Sequence, residues 1–259
     1  MTLIITAVTR DGIVQVSDRR LTKDGQSYGD FSNKAVCVSC SDGPLAISYT
    51  GLAEIGGQRT DEWLAECLAS IIDDQTDTLS VLEALQKRTT STFAHLRIPQ
   101  EQQELTFVLA GPRLRLAVFG YVSNVLDWTG KRLPGVQQSF SLGVHWPMIS
   151  ARCRKATVQI DGREEAVDET LRKRINKLKR KMFFQDSRTV AQTLVTIVRA
   201  AGRHPQFKTC IGRDCMSVIV PRAGSFHSMY HTDKGAPVSY DQHLIVPAGS
   251  FIGTSVTAG

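Results

Sequence analysis

Thr2 is the residue near the start of the chain whose type and position could do chemistry. It directly follows Met1 and precedes a run of strand-forming residues, Leu3 to Val8. A threonine hydroxyl is a weak nucleophile that needs a base, and a free α-amine, with a pKa near 7.7 to 8.0, can serve as one. Removal of Met1 would give Thr2 that amine and make it a self-activated nucleophile. Taken alone, Thr2 is also simply a good strand former.

Other reactive residue types form weaker patterns. Cys37 and Cys40 are a lone CxxC pair without a second pair at zinc-binding spacing, and positions three apart on a strand face opposite sides. The histidines show no H-x-x-x-H spacing, and no P-loop lysine follows Gly56 and Gly57. We therefore assign no metal, cofactor or nucleotide site, and we expect free, mostly buried thiols.

Length and composition indicate a globular chain. Its 259 residues, 42% hydrophobic and 22% charged, suffice for one domain with a full core. The start lacks a charged region followed by an apolar segment, and no run approaches the roughly 18 apolar residues of a membrane span. We expect a single domain over residues 1–259, located in a reducing cytoplasm and away from membranes.

The positive charge is concentrated in one segment. The formal net charge is +6, and the stretch RKRINKLKRK at 172–181 alone holds seven Lys or Arg residues and no acid. Leu171, Ile175, Leu178 and Met182 recur along one stripe of an amphipathic helix in the same segment. A packed helix with a solvated basic face explains this pattern, and a docking surface for an acidic partner, nucleic acid or an anionic membrane remains the alternative.

The order of elements favours antiparallel sheets covered by helices. Asp-Gly turns at 11–12 and 42–43 predict two hairpins, 3–17 and 35–49, and helical periodicity follows Gly51 and begins again at Thr78. Further strands are expected at 105–110, 115–121, 125–128, 140–144, 152–160, 216–220, 225–231 and 243–246, with a helix at 189–201 beside the basic one. Regular βαβ alternation is absent, so the fold class is α+β.

Behind Thr2 the motifs VSDRR, SNKAV and SYTGLAE follow in order, and GRDCMS lies later in the chain. Together with the N-terminal stretch, these motifs resemble those of the catalytic β-subunits of the proteasome family, the threonine-type N-terminal nucleophile hydrolases. Thr2 matches the nucleophile, and the family's next two markers match Asp18 in VSDRR and Lys34 in SNKAV. The oxyanion glycine matches Gly51 in SYTGLAE. Later in the chain, GRDCMS resembles the Arg-Asp-x-x-Ser motif, which matches Asp214 and Ser217.

The resemblance implies a role for each matched residue. Lys34 would lower the cost of the developing alkoxide on Thr2, and Asp18 would pair with the Lys34 ammonium and fix its position. Asp214 and Ser217 would steady the free amine. The Gly51 amide would bind the oxyanion, and because Gly51 ends a strand before a predicted helix, we expect this amide at the helix N-terminus.

Two segments depart from the family pattern. The Gly-Ser-Gly of the family aligns with residues 140–145, where Val144 stands in place of the serine. The stretch 152–182, which comprises an extra strand and the basic helix, has no counterpart that we recognise.

The resemblance implies an αββα sandwich that hydrolyses amide bonds in peptides or small amides and self-associates, with rings as one form. A catalytically inactive assembly subunit is the first alternative. A basic adaptor that binds nucleic acid or an acidic partner through helix 171–182 is the second, although binding to nucleic acid is the less favoured reading.

Overall fold

The structure, a computed structural model, describes residues 2–23, 26–30, 32–113, 116–146, 154–223, 225–233, 238–239, 244–246 and 250–252. Its α-helices are α1 (Thr60–Ala69), α2 (Thr78–Phe93), α3 (Glu169–Phe184) and α4 (Ser187–Arg203). Its strands are β1 (Leu3–Val8), β2 (Gly12–Asp18), β3 (Leu21–Lys23), β4 (Gln26–Gly29), β5 (Ala35–Cys40), β6 (Gly43–Gly51), β7 (Glu54–Ile55), β8 (Gln58–Arg59), β9 (Leu105–Pro112), β10 (Ala117–Ser123), β11 (Ser141–His145), β12 (Thr157–Gly162), β13 (Cys215–Pro221), β14 (His227–His231), β15 (Val238–Ser239), β16 (Leu244–Val246) and β17 (Ser250–Ile252).

One antiparallel sheet carries the N-terminal strand. Its order is β12-β1-β2-β13-β14-β15, so β1 lies between β2 and β12. The β1–β2 hairpin closes where the Thr9 amide donates to the Gly12 carbonyl at 2.8 Å, as the Asp-Gly turn predicts. Helix α4 packs on β2 and β13, and buried side chains from α3 and α4 join the same apolar cluster as those of β1 and β2.

The second sheet faces the first. Its order is β11-β10-β9-β6-β5-β16-β17, and all its pairs are antiparallel except β5 with β16. Helices α1 and α2 cover its outer face, where Leu64, Leu82 and Phe107 share one apolar cluster. A third cluster of mostly small apolar residues fills the space between the sheets, so the layers run helix, sheet, sheet, helix. The predicted α+β sandwich is confirmed.

Several predicted boundaries differ from the structure. Helix α1 begins at Thr60 instead of shortly after Gly51, because Gly56 and Gly57 form the turn between β7 and β8, both with positive φ. The expected strand at 125–128 reduces to one bridge between Leu126 and Arg132. Residue 115, the start of another predicted strand, lies outside the described residues, as do 151–153.

The basic segment folds as predicted. Residues 171–182 lie within α3, which buries Ile175, Met182 and Phe183 against the first sheet and leaves most of its Lys and Arg side chains exposed. Asp168 begins the helix by accepting from the Leu171 amide. None of the helices in the described part of the chain is long and apolar enough to cross a bilayer.

Candidate active site

Thr2 is held by its main chain between the two sheets. It precedes β1 and is 1% exposed. Its amide donates to Thr50 Oγ1 at 3.1 Å, and the same hydroxyl donates to the Thr2 carbonyl oxygen at 3.2 Å. The Arg163 amide also donates to that oxygen at 3.1 Å. Because Thr50 belongs to the second sheet and Arg163 follows β12 of the first, both sheets fix the position of Thr2.

Asp18 ends β2 and connects the start of β1 to the loop before β13. Its carboxylate is fully buried and accepts from three amides: Leu3 at 2.8 Å, Arg20 at 3.0 Å and Gly212 at 3.1 Å. Burial raises the pKa of Asp18, while the charge of Lys34 and the three amides oppose that rise. The donors therefore favour the ionised carboxylate next to Thr2.

Lys34 precedes β5 and brings a positive charge from the second sheet. It is 2% exposed, and burial lowers its pKa to about 8 against the opposing effects of Asp18 and Asp61. Its Nζ lies 4.7 Å from the centroid of the Tyr49 ring, an additional cation–π contact. Within the described part of the chain, the ammonium makes no hydrogen bond to the Thr2 hydroxyl.

Gly51 directly follows Thr50, whose hydroxyl binds the Thr2 main chain. It ends β6 with φ +115°, and a Cβ there would overlap the carbonyl of Glu104, the residue just before β9, so glycine permits this close approach. The expectation that its amide lies at a helix N-terminus is wrong, because β7 and β8 separate it from α1. The oxyanion role of Gly51 stays a prediction without that support from a helix dipole.

The structure separates Asp214 from Ser217. The Asp214 carbonyl accepts from the Arg19 amide at 2.9 Å, so it lies at the same end of the sheet as Asp18, but its carboxylate accepts from the Asp233 amide at 2.7 Å. Ser217 lies deeper in β13, opposite Val16, and its hydroxyl contacts His231 Nε2 at 2.8 Å. Burial and the charge of Arg199 lower the pKa of His231 to about 4, so this buried pair is neutral.

The sequence analysis predicted a strand at 152–160 but did not place it beside Thr2. β12 pairs with β1, with Gly162 opposite Leu3. Gly162 has φ +77°, and a Cβ there would overlap the Thr2 carbonyl. The segment aligned with the family's Gly-Ser-Gly lies elsewhere, because β11, which contains Val144, pairs with β10 at an edge of the second sheet. The Asp161-Gly162 pair marks the end of a strand but not its partner, and the position of Thr50 immediately before Gly51 was the available signal for Thr50.

A cleft opens next to Thr50. Its volume is about 320 Å³, and the residues that line it include Thr50, Glu104, Tyr121, Arg132, His145 and Asp161. Asp161 Oδ1 accepts from Gln159 Nε2 at 2.9 Å, whereas the buried Oδ2 has no hydrogen-bond partner among the described residues. Burial and nearby Glu164 raise the pKa of Asp161 to about 6, against the effect of Gln159. Within the described ranges, no group of three metal-binding side chains occurs.

The layered fold is a recurrent one, with 238 similar chains among solved structures. The fold of the chain is proteasome-like, and the similarity to the known structures is distant. One match is Anbu (ancestral beta-subunit) from Yersinia bercovieri, with a TM-score of 0.51 and 9% identity over 85% of this chain and 81% of that chain. No protein-family model and no curated protein matches the sequence. At this identity the likeness concerns the fold alone.

Proposed function

We propose that the chain is a threonine-type peptidase or amidohydrolase whose nucleophile is Thr2 after removal of Met1. One observation carries the proposal: the Thr2 main chain is fixed between two sheets, the buried Asp18 carboxylate accepts from the Leu3 amide beside it, and Lys34 is a second buried charge. Buried opposite charges that belong to no apolar core are typical of functional sites. The proteasome-like fold is consistent with this chemistry.

The proposed reaction needs no cofactor. The Thr2 hydroxyl attacks the amide carbonyl while the free α-amine of Thr2 accepts its proton and passes it to the leaving amine. The resulting ester is hydrolysed by water, with the same amine as base. Lys34 stabilises the alkoxide through its charge, Asp18 maintains that charge, and the Gly51 amide is the candidate donor to the oxyanion. Thr50 positions the amine, since its hydroxyl already accepts from the Thr2 nitrogen.

The alternative is a catalytically inactive subunit that serves in assembly. The position of Ser217 favours it, because a residue that the family resemblance assigns to the amine instead contacts His231. Both readings include self-association, and we propose homo-oligomers, with rings as one possible form. The readings differ in whether the Thr2 amine is free and reactive.

Covalent labelling tests the proposal. Intact mass should show loss of Met1, and an epoxyketone reagent, which requires both a hydroxyl and an amine, should add once per chain. Thr2→Ala should abolish labelling and amide hydrolysis, while Thr196→Ala, at an exposed position on α4, should leave both unchanged. Retention of methionine throughout, or equal labelling of the Thr2→Ala variant, would reject Thr2 as the nucleophile.

A further inference from the structure

The cleft beside Thr50 carries an uncompensated negative charge. Three carboxylates line it, and two of them have a cationic partner: Glu104 pairs with Arg132 at 3.1 Å, and Glu164 pairs with Arg172 at 3.6 Å. Asp161 is the third, and within the described ranges no cation pairs with it. Arg163, two residues further on, pairs with Glu165 at 2.8 Å instead. A cation that entered the cleft would therefore find one carboxylate available.

The carboxylate of Asp161 also lowers the stability of the fold as long as one of its oxygens has no hydrogen-bond partner. Its Oδ2 is buried without a hydrogen-bond partner among the described residues, and an orphaned buried acceptor destabilises a fold unless a ligand or water satisfies it. The side chain is built into the site, because Gln159 holds the other oxygen at 2.9 Å. A prearranged, half-satisfied carboxylate is what a charge-assisted hydrogen bond to a ligand requires.

The cleft borders the site of the proposed reaction, although Thr2 itself is not among the residues that line it. Thr50 lines it and contacts both the nitrogen and the carbonyl oxygen of Thr2. Gly162, which also lines it, is packed against that carbonyl and is the residue after Asp161. A substrate whose scissile amide lies at Thr2 can therefore place a neighbouring side chain toward Asp161.

We propose that this cleft binds a cationic group of the substrate, an ammonium or a guanidinium, through the carboxylate of Asp161. The preferred substrates are then peptides or small amides with a basic side chain next to the scissile bond. This substrate preference rests on the proposed function, whereas binding of the cation in the cleft does not. The two are therefore tested separately.

Binding is measured on the Thr2→Ala variant, which cannot turn over. The probes are N-acetyl-lysine methylamide and N-acetyl-norleucine methylamide, which differ in the terminal ammonium. The lysine probe should bind about tenfold to a hundredfold more tightly, as expected for a charge-assisted hydrogen bond. Adding Asp161→Asn should abolish that preference, and adding Glu169→Gln, at an exposed acid on α3, should preserve it.

A pH titration keeps the inference testable if Asp161→Asn fails to fold. Because the pKa of Asp161 is raised to about 6, affinity for the lysine probe should fall as the pH is lowered through that value, while affinity for the norleucine probe stays constant. Equal affinity for both probes, or no binding of either, would overturn the inference and indicate that water satisfies Asp161. Charge-selective binding without any hydrolysis would instead retain the cleft and reject the proposed reaction.

Discussion

At the scale of the residue, Asp18 and Lys34 depend on one another. Both are almost fully buried, and although no hydrogen bond or ion pair joins these two described residues, neutralising either one would leave the other buried charge less compensated. Three amides hold the Asp18 carboxylate, so its geometry exists before any substrate binds. In the proposed reaction, such preorganisation would spare these groups from reorienting as charge develops on Thr2.

Lys34 should make stability and activity respond to pH in opposite directions. Burial lowers its folded pKa to about 8 from the ordinary 10.5, so between these values the unfolded chain binds more protons and the Lys34 contribution to stability rises with pH. Turnover that depends on the Lys34 charge should fall over the same range. Urea unfolding and turnover at pH 7.5 and pH 9.5 measure the two responses.

Two lysine variants serve as comparisons for that experiment. Lys34→Met should lose the rise in stability and reduce kcat by about a hundredfold or more. Lys173→Met, at an exposed residue that pairs with Glu169, should behave like the unaltered protein. If Lys34→Met retained the unaltered turnover, the proposed role of its charge would be wrong.

At the scale of the element, local signals were sufficient for most strands and helices. Asp-Gly turns placed the hairpins β1–β2 and β5–β6, and periodic apolar residues placed α2, α3 and α4. Gly56 and Gly57 misled the prediction because a Gly-Gly pair suits both the start of a helix and a tight turn. The pairing of β12 with β1 has no local signal, since the strands are far apart in sequence.

The residues of the candidate site show the same difference between what local sequence predicts and what only strand pairing reveals. Thr2, Asp18, Lys34 and Gly51 were predicted from the family resemblance; the structure joins the Asp18 carboxylate to the Leu3 amide beside Thr2, whereas Lys34 comes from the facing sheet and its role stays a prediction. Thr50 and Asp161 were missed because their importance comes from which strands are neighbours. Ser217 shows the converse, because a motif match cannot reveal that His231 on the adjacent strand contacts it.

The fit of β12 against Thr2 is testable at Gly162. Gly162→Ala should destabilise the fold and reduce hydrolysis, because the new methyl group would overlap the Thr2 carbonyl and force that residue to move. Gly57→Ala is the matched control, since Gly57 also has positive φ but has open space around the Cβ position. Thermal unfolding and turnover of both variants separate backbone strain from the clash. Equal effects on turnover would argue against a steric role of Gly162.

At the scale of the whole molecule, α3 determines the charge distribution. Its seven cations account for the net charge of +6, and the exposed ones form one face of the first helical layer. If that face lay at a contact between copies, like charges would repel over about 10 Å at 0.1 M salt. The helix is packed through Ile175 and Met182, so it is part of the fold whether or not the basic face binds a partner.

Sedimentation at low and moderate salt tests the proposed self-association. Oligomers should form, and added salt should strengthen them if α3 lies at the contact, because screening reduces the repulsion. Association that is independent of salt would place α3 toward solvent. A variant with Lys173, Arg174 and Lys177 changed to Gln should associate at low salt as the unaltered protein does at moderate salt, if α3 is at the contact. A strict monomer under both conditions would reject ring-like assembly while leaving the threonine chemistry open.

The amide of Arg163, which donates to the Thr2 carbonyl, imposes an order on biosynthesis. The residues that enclose Thr2 are translated about 160 residues after it, which at 5–20 residues per second takes roughly ten to thirty seconds. Under the proposed function, a processing aminopeptidase would act most readily during that interval, before Arg163 and β12 pack against Thr2. The proposed removal of Met1 would therefore compete in time with the folding of β12 against β1. Faster translation or refolding from full-length chain should increase the fraction that never acquires a free amine.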